Sequence, residues 1–156
     1  MKAKIIIISI LIALSGVCKA QDHFFEKYVD MENVTSVSVS KAMFSLASNF
    51  MKDDVGTGNL LEGAEKLLIL STKDKRIRKR MEKDFSKLNL NGYQNLLKVR
   101  EKGSKVNFFG KIDKKKINNI IMECAEDTEY TLIIFLGTFD MDAIAKLSKN
   151  TKVIKK

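Results

Sequence analysis

Tyr93 to Leu136 reads YQNLLKVREKGSKVNFFGKIDKKKINNIIMECAEDTEYTLIIFL, and the period of its apolar residues decides the fold. The pattern repeats in twos, which predicts strands over Tyr93–Arg100, Val106–Ile112, Ile117–Cys124 and Tyr130–Leu136. Their connections, Lys102-Gly103-Ser104, Asp113 to Lys116 and Glu126 to Glu129, allow hairpins only. A parallel crossover needs a dozen residues or more, so the four strands form an antiparallel meander.

Upstream the period changes. Ile77, Met81, Phe85 and Leu88 lie on one helical face, giving a helix over residues 74–89 that Asn91-Gly92 ends. Leu67-Leu68-Ile69-Leu70-Ser71 reads as a short buried strand, and Leu60 to Lys66 as one or two helical turns. Asp53 to Gly58 is a loop by its glycines. Ala42, Met43, Leu46, Ala47 and Phe50 form a helical face that Ser40 can cap. Thr35, Val37 and Val39 alternate with serines as a half-buried strand, and Asp22 to Met31 forms a short helix. A last helix starts at Asp140 and runs through Ala143, Ile144 and Leu147. Strands clustered after helices predict an α+β fold. The expectation is a single two-layer domain over residues 21–148, mostly antiparallel, with helices packed on one face.

The chain begins differently. Lys2 and Lys4 precede an apolar run from Ile5 to Val17 that falls short of the roughly 20 residues a membrane span needs. Residues 1–20 therefore read as a secretory signal peptide. Cys18 and Ala20 fit the small-residue rule for a cut before Gln21. The alternative is a lipoprotein cut that leaves an acylated Cys18, but Val17 stands where that peptidase takes Gly, Ala or Ser. The expected address is exported, periplasmic or cell envelope, with membrane association only if Cys18 is lipidated.

Export limits the chemistry. The formal charge is +9, yet three of the 28 basic residues leave with the leader while all 19 acids remain. That excess favours acidic partners weakly and makes nucleic acid a poor candidate. With Cys18 removed, Cys124 is alone, so no internal disulfide forms and packing must stabilise the fold. Its apolar setting, with Glu123 and Glu126 beside it, reads as a buried inert thiol. The chain has no proline and no linker, and residues 149–156 form a loose basic tail.

Catalytic constellations are scarce. His23 is the only histidine and lies near the mature chain end, which argues against a zinc site or a Ser-His-Asp arrangement. Gly56-x-Gly58 lacks the third glycine of a phosphate loop. Asp140 and Asp142 serve a helix start. Acids gather at Asp53-Asp54 and at Glu123, Glu126, Asp127 and Glu129, and a carboxylate-dependent hydrolase would have to use them. Solvated turns explain the same residues. No cofactor, metal or catalytic residue is expected.

The basic helix is the most suggestive surface. Arg76, Arg80, Lys83 and Lys87 repeat as a stripe about 16 Å long at 1.5 Å per residue. It suits an acidic protein face or an anionic envelope component, although a solvated helix side would look the same. A third expectation is a structural part of an envelope complex, with an apolar patch on the sheet near Phe109 and Ile120.

Four segments, FFEKYVDMENVTSVSVSKAMF, LLILSTKD, GYQNLLKVREKGSKVNFFGK and LIIFLGTFDMDAIAKL, together resemble domain of unknown function family 4252. That is a family of small exported proteins of Bacteroidetes, and the likeness covers nearly all of residues 24–147. The resemblance implies export and a single α+β domain, with no defined enzymatic activity and no site residues to carry over. It also implies lipoproteins among the members, a pattern from which Val17 departs, and a sensing or regulatory role in envelope stress. The leading expectation is an exported, non-enzymatic binding module.

Overall fold

The computed structural model describes residues 21–50 and 61–142. The expected signal peptide of residues 1–20, the expected Asp53–Gly58 loop, the expected helix beyond residue 142 and the expected basic tail of residues 149–156 lie outside the described residues. The elements run α1 (21–28), β1 (Thr35–Ser40), α2 (Lys41–Phe50), β2 (Ala64–Thr72), α3 (Lys75–Ser86), β3 (Gln94–Glu101), β4 (Ser104–Asp113), β5 (Lys116–Glu126) and β6 (Tyr130–Asp140). The six strands form one antiparallel sheet in the order β1-β2-β6-β5-β4-β3. The C-terminal meander and the α+β class are those the sequence predicts.

One face of the sheet carries Leu68, Leu70, Ile121, Leu132 and Ile134, all buried. Phe24, Phe25 and Tyr28 of α1 and Met81 and Phe85 of α3 close over them. Each such side chain, fully buried, contributes roughly 1.5–3 kcal/mol by leaving water. Asp74 sets the start of α3, its carboxylate accepting from the amides of Arg76 (2.9 Å) and Ile77 (3.0 Å). Those two amides hold its carboxyl below the usual range. The helix stops at Ser86, three residues before the predicted end, because the chain must turn toward β3. Leu88 and Leu90 leave the helix but still pack on the core, and Gly92 turns with φ 82°. Asp84 ties α3 to α1 by accepting from Lys27 Nζ (2.5 Å) and Tyr28 Oη (2.6 Å).

The opposite face has a cover of its own. Phe44 of α2 is buried there with Ala64 and Phe139, against Leu67, Ile120 and Phe135. The Phe44 and Phe135 rings lie 5.7 Å apart, and those of Phe135 and Phe139 4.6 Å. So α1 and α3 share one face as expected, and α2 covers part of the other.

Another boundary departs from the sequence reading. Residues 61–62 are helical, but β2 starts at Ala64, where a helical turn is predicted. Pairing wins over local propensity, with Ala64 opposite Gly137 and Lys66 opposite Leu136. The register shift between them is one of a series. Others fall at Asn118–Ile120 of β5, at Gly110–Lys111 of β4 and at Asn95–Leu97 of β3. Asn119, with φ 55°, joins two of these places by accepting from the Gly137 amide at 3.1 Å. The irregularities form a crease that crosses five neighbouring strands.

Candidate functional site

Alternation along β4 and β5 puts Asn107 opposite Glu123, and Lys105 opposite Ala125, on the face beneath α3. The sheet extends past the helix there, leaving a cleft of about 560 Å³. Phe85, Leu88, Leu90 and Phe109 supply its apolar lining. Lys79, Lys83, Lys105, Asn107 and Glu123 supply the polar part.

Glu123 is buried at 3% exposure, so it needs partners. One carboxylate oxygen accepts from Asn107 Nδ2 at 2.7 Å. The other accepts from Tyr130 Oη at 3.2 Å and lies 3.4 Å from Lys105 Nζ. Lys105 also reaches Glu82 at 3.1 Å. Burial first, and then the Glu123 charge, push the Tyr130 hydroxyl well above its ordinary range, so it stays a donor. Asn107 Oδ1 has no donor among the described residues. The sequence reading places Glu123 with the solvated acids of the following turn, and the structure corrects that. The overlooked signal is the alternation Ile121-x-Glu123-x-Ala125, which aligns Glu123 with core side chains. Asn107, one strand away, escapes because an asparagine in a strand carries no signal by itself.

The other acids of that cluster separate. Glu126 and Asp127 are exposed. Glu129 accepts from the Ser71 hydroxyl in a hollow of about 520 Å³ at the ends of β1 and β2. Asp74 borders that hollow but is engaged in capping α3. Among the described residues no cluster of three or more His, Cys, Asp or Glu could hold a metal ion. His23 lies exposed on α1, and Asp140 accepts from the Asp142 amide at 2.8 Å, as a helix cap does.

Cys124 is free and half-buried. Burial, followed by the charge of Glu126, raises the pKa of its thiol, with Sγ 3.9 Å from Glu126 Oε1. At neutral pH the thiolate fraction therefore falls below that of an ordinary cysteine. Alkylation by iodoacetamide is expected to be slower than that of glutathione at the same pH, and Glu126→Gln should speed it. A rate above that of glutathione would refute the protonated thiol.

Arg76, Arg80, Lys83 and Lys87 are all exposed. None of the four is held in a salt bridge among the described residues. Lys83 overlooks the cleft, whereas Arg76 and Arg80 border a hollow with Glu32 and Asn33. The stripe thus has two neighbourhoods. Phe109 packs 6.0 Å from Phe85 and Ile120 lies in the α2 cluster, so neither makes an exposed patch. The exposed apolar residues of the sheet include Val37 on β1 and Leu97 and Val99 on β3.

No curated protein and no solved structure matches this chain. The profile of the domain of unknown function DUF4252 matches residues 27–147, a stretch from within α1 to beyond β6. The matched range holds the whole sheet and α3 with its cleft, so the chain belongs to the DUF4252 family.

Proposed function

We propose that the protein is an exported, non-enzymatic binding module of the cell envelope that docks an acidic protein face or an anionic envelope component. The carrying observation is the exposed cation array of α3 and its C-cap, Arg76, Arg80, Lys83 and Lys87, with no salt bridge to any described residue. Cations already paired within the fold would have to break those pairs to meet a partner, and these do not. The two arginines add planar, bidentate recognition of carboxylate or phosphate. Lys83 brings the array to the rim of the cleft, where apolar contact can add to charge. The leader-like residues 2–20 support export. Gln21 belongs to the folded body, its Nε2 donating to Tyr93 Oη at 2.6 Å, so a cut before it would leave the domain whole.

The test is charge reversal. Arg76→Glu, Arg80→Glu and Lys83→Glu together are expected to abolish cross-linked capture of envelope partners, at least a tenfold loss, with the circular dichroism spectrum unchanged. Capture at wild-type yield would remove the stripe as the docking surface.

A further inference from the structure

The sheet has two edges, and they differ. At one edge β1 is six residues long, rich in serine and followed at once by α2. At the other, β3 runs for eight residues, and every one of them is exposed. Alternate residues of an edge strand turn their N–H and C=O groups away from the sheet, which makes the edge a template for another strand. From its alternation we infer that β3 is a strand-addition site for an extended acidic segment of a partner protein, one in which acidic and apolar residues alternate.

The side chains specify that occupant. Lys98 stands opposite Asn107 and Arg100 opposite Lys105, which puts both cations on the cleft face. Leu97 stands opposite Phe108 and Val99 opposite Val106, on the other face. Leu97 is 51% exposed and Val99 39%, too open for side chains whose only task is to pack the domain. A strand laid along β3 would place alternate side chains beside Lys98 and Arg100, where carboxylates gain, and the rest beside Leu97 and Val99, where apolar groups gain. Backbone hydrogen bonds would supply affinity, and this alternation the selectivity.

A second copy of the chain fits less well. Antiparallel self-pairing centred on Lys98 sets Lys98 against its own copy, and pairing centred on Val99 sets it against Arg100. Pairing centred nearer the start of β3 meets the register shift at Asn95–Leu97. Cations and a bulge of this kind are what protect an edge from its own copies, while leaving it open to a strand of opposite charge.

The inference shares with the stripe reading only the expectation of an acidic partner, and its test separates the two. The full chain is titrated with a short capped peptide of alternating glutamate and valine, following binding and amide hydrogen exchange. Binding should slow exchange at the outward-facing amides of β3 by about tenfold or more. Methylating alternate backbone nitrogens of the peptide should abolish this, because the strand bonds cannot form. Lys98→Glu with Arg100→Glu should transfer the preference to the lysine–valine analogue, while the Arg76, Arg80 and Lys83 reversals should leave binding within about twofold. Equal binding of the methylated peptide would overturn the inference, as would equal loss in the stripe variant or no protection of β3. So would β3 protection that rises with protein concentration alone, which would make the occupant a second copy.

Discussion

Gly137→Ala is expected to destabilise the protein by about 4 kcal/mol or more, the range of a strained backbone compounded by a steric clash. Gly137 has φ 149°, which side-chain-bearing residues rarely adopt. A Cβ built there would stand 2.2 Å from the Gly63 carbonyl oxygen and 3.1 Å from the Ala64 Cα. Both obstacles are backbone, so neither can rotate aside. Retreat would also break the bond from the Thr138 amide to that same carbonyl, 3.0 Å long. Gly92→Ala is the control, because Gly92 also has a positive φ, 82°, but among the described residues its added Cβ would meet only Lys111 Cε at 3.8 Å. That variant should lose about 1 kcal/mol. Chemical denaturation of the two side by side checks the argument, and equal losses would show that the Gly63 contact does not matter.

The second large effect belongs to Glu123. Glu123→Ala removes the acceptor that Asn107, Tyr130 and Lys105 share, leaving buried donors without a partner, and should cost about 3–5 kcal/mol. The penalty arises from what remains behind rather than from what is lost. Glu123→Leu combined with Asn107→Leu and Tyr130→Phe removes the buried donors together with their acceptor, Lys105 keeping Glu82, and should therefore be milder than Glu123→Ala alone. Denaturation midpoints decide. A Glu123→Ala loss below about 0.5 kcal/mol, the size of an ordinary surface substitution, would mean that the network contributes nothing.

How legible this was depends on how many faces of an element matter at once. The meander was readable because Tyr93–Leu136 alternates and its links are too short for anything but hairpins. Helical spacing predicts the stripe of Arg76, Arg80, Lys83 and Lys87, and the structure leaves all four exposed, with Lys83 at the cleft and Arg76 and Arg80 at a separate hollow. The placement of α2 was harder, since its apolar positions show that it packs but not on which side. A clue lay in Leu67-Leu68-Ile69-Leu70 and Leu132-Ile133-Ile134-Phe135, where unbroken apolar runs indicate strands covered on both faces. The start of β2 departs from the predicted helical turn because Leu60–Lys66 has helical propensity, whereas its pairing with β6 is a distant, tertiary choice. The cleft was out of reach for a related reason. It exists only once α3 lies across β4 and β5, and residues 79–90 and 105–123 become neighbours through that packing alone.

The crease across β2, β6, β5, β4 and β3 has a consequence for how the gene can change. Each irregularity interlocks with the next strand, and in a sheet a one-residue shift carries every later side chain to the wrong face. A codon gained or lost within any one of these strands would have to be matched in its neighbours. The turns at Lys102-Gly103 and Lys114-Lys115 lie beyond the last paired residues, where a longer loop can be accommodated without displacing the pairs. Length variation in this lineage should therefore accumulate at the hairpin tips, while the strands between them change residues but keep their count.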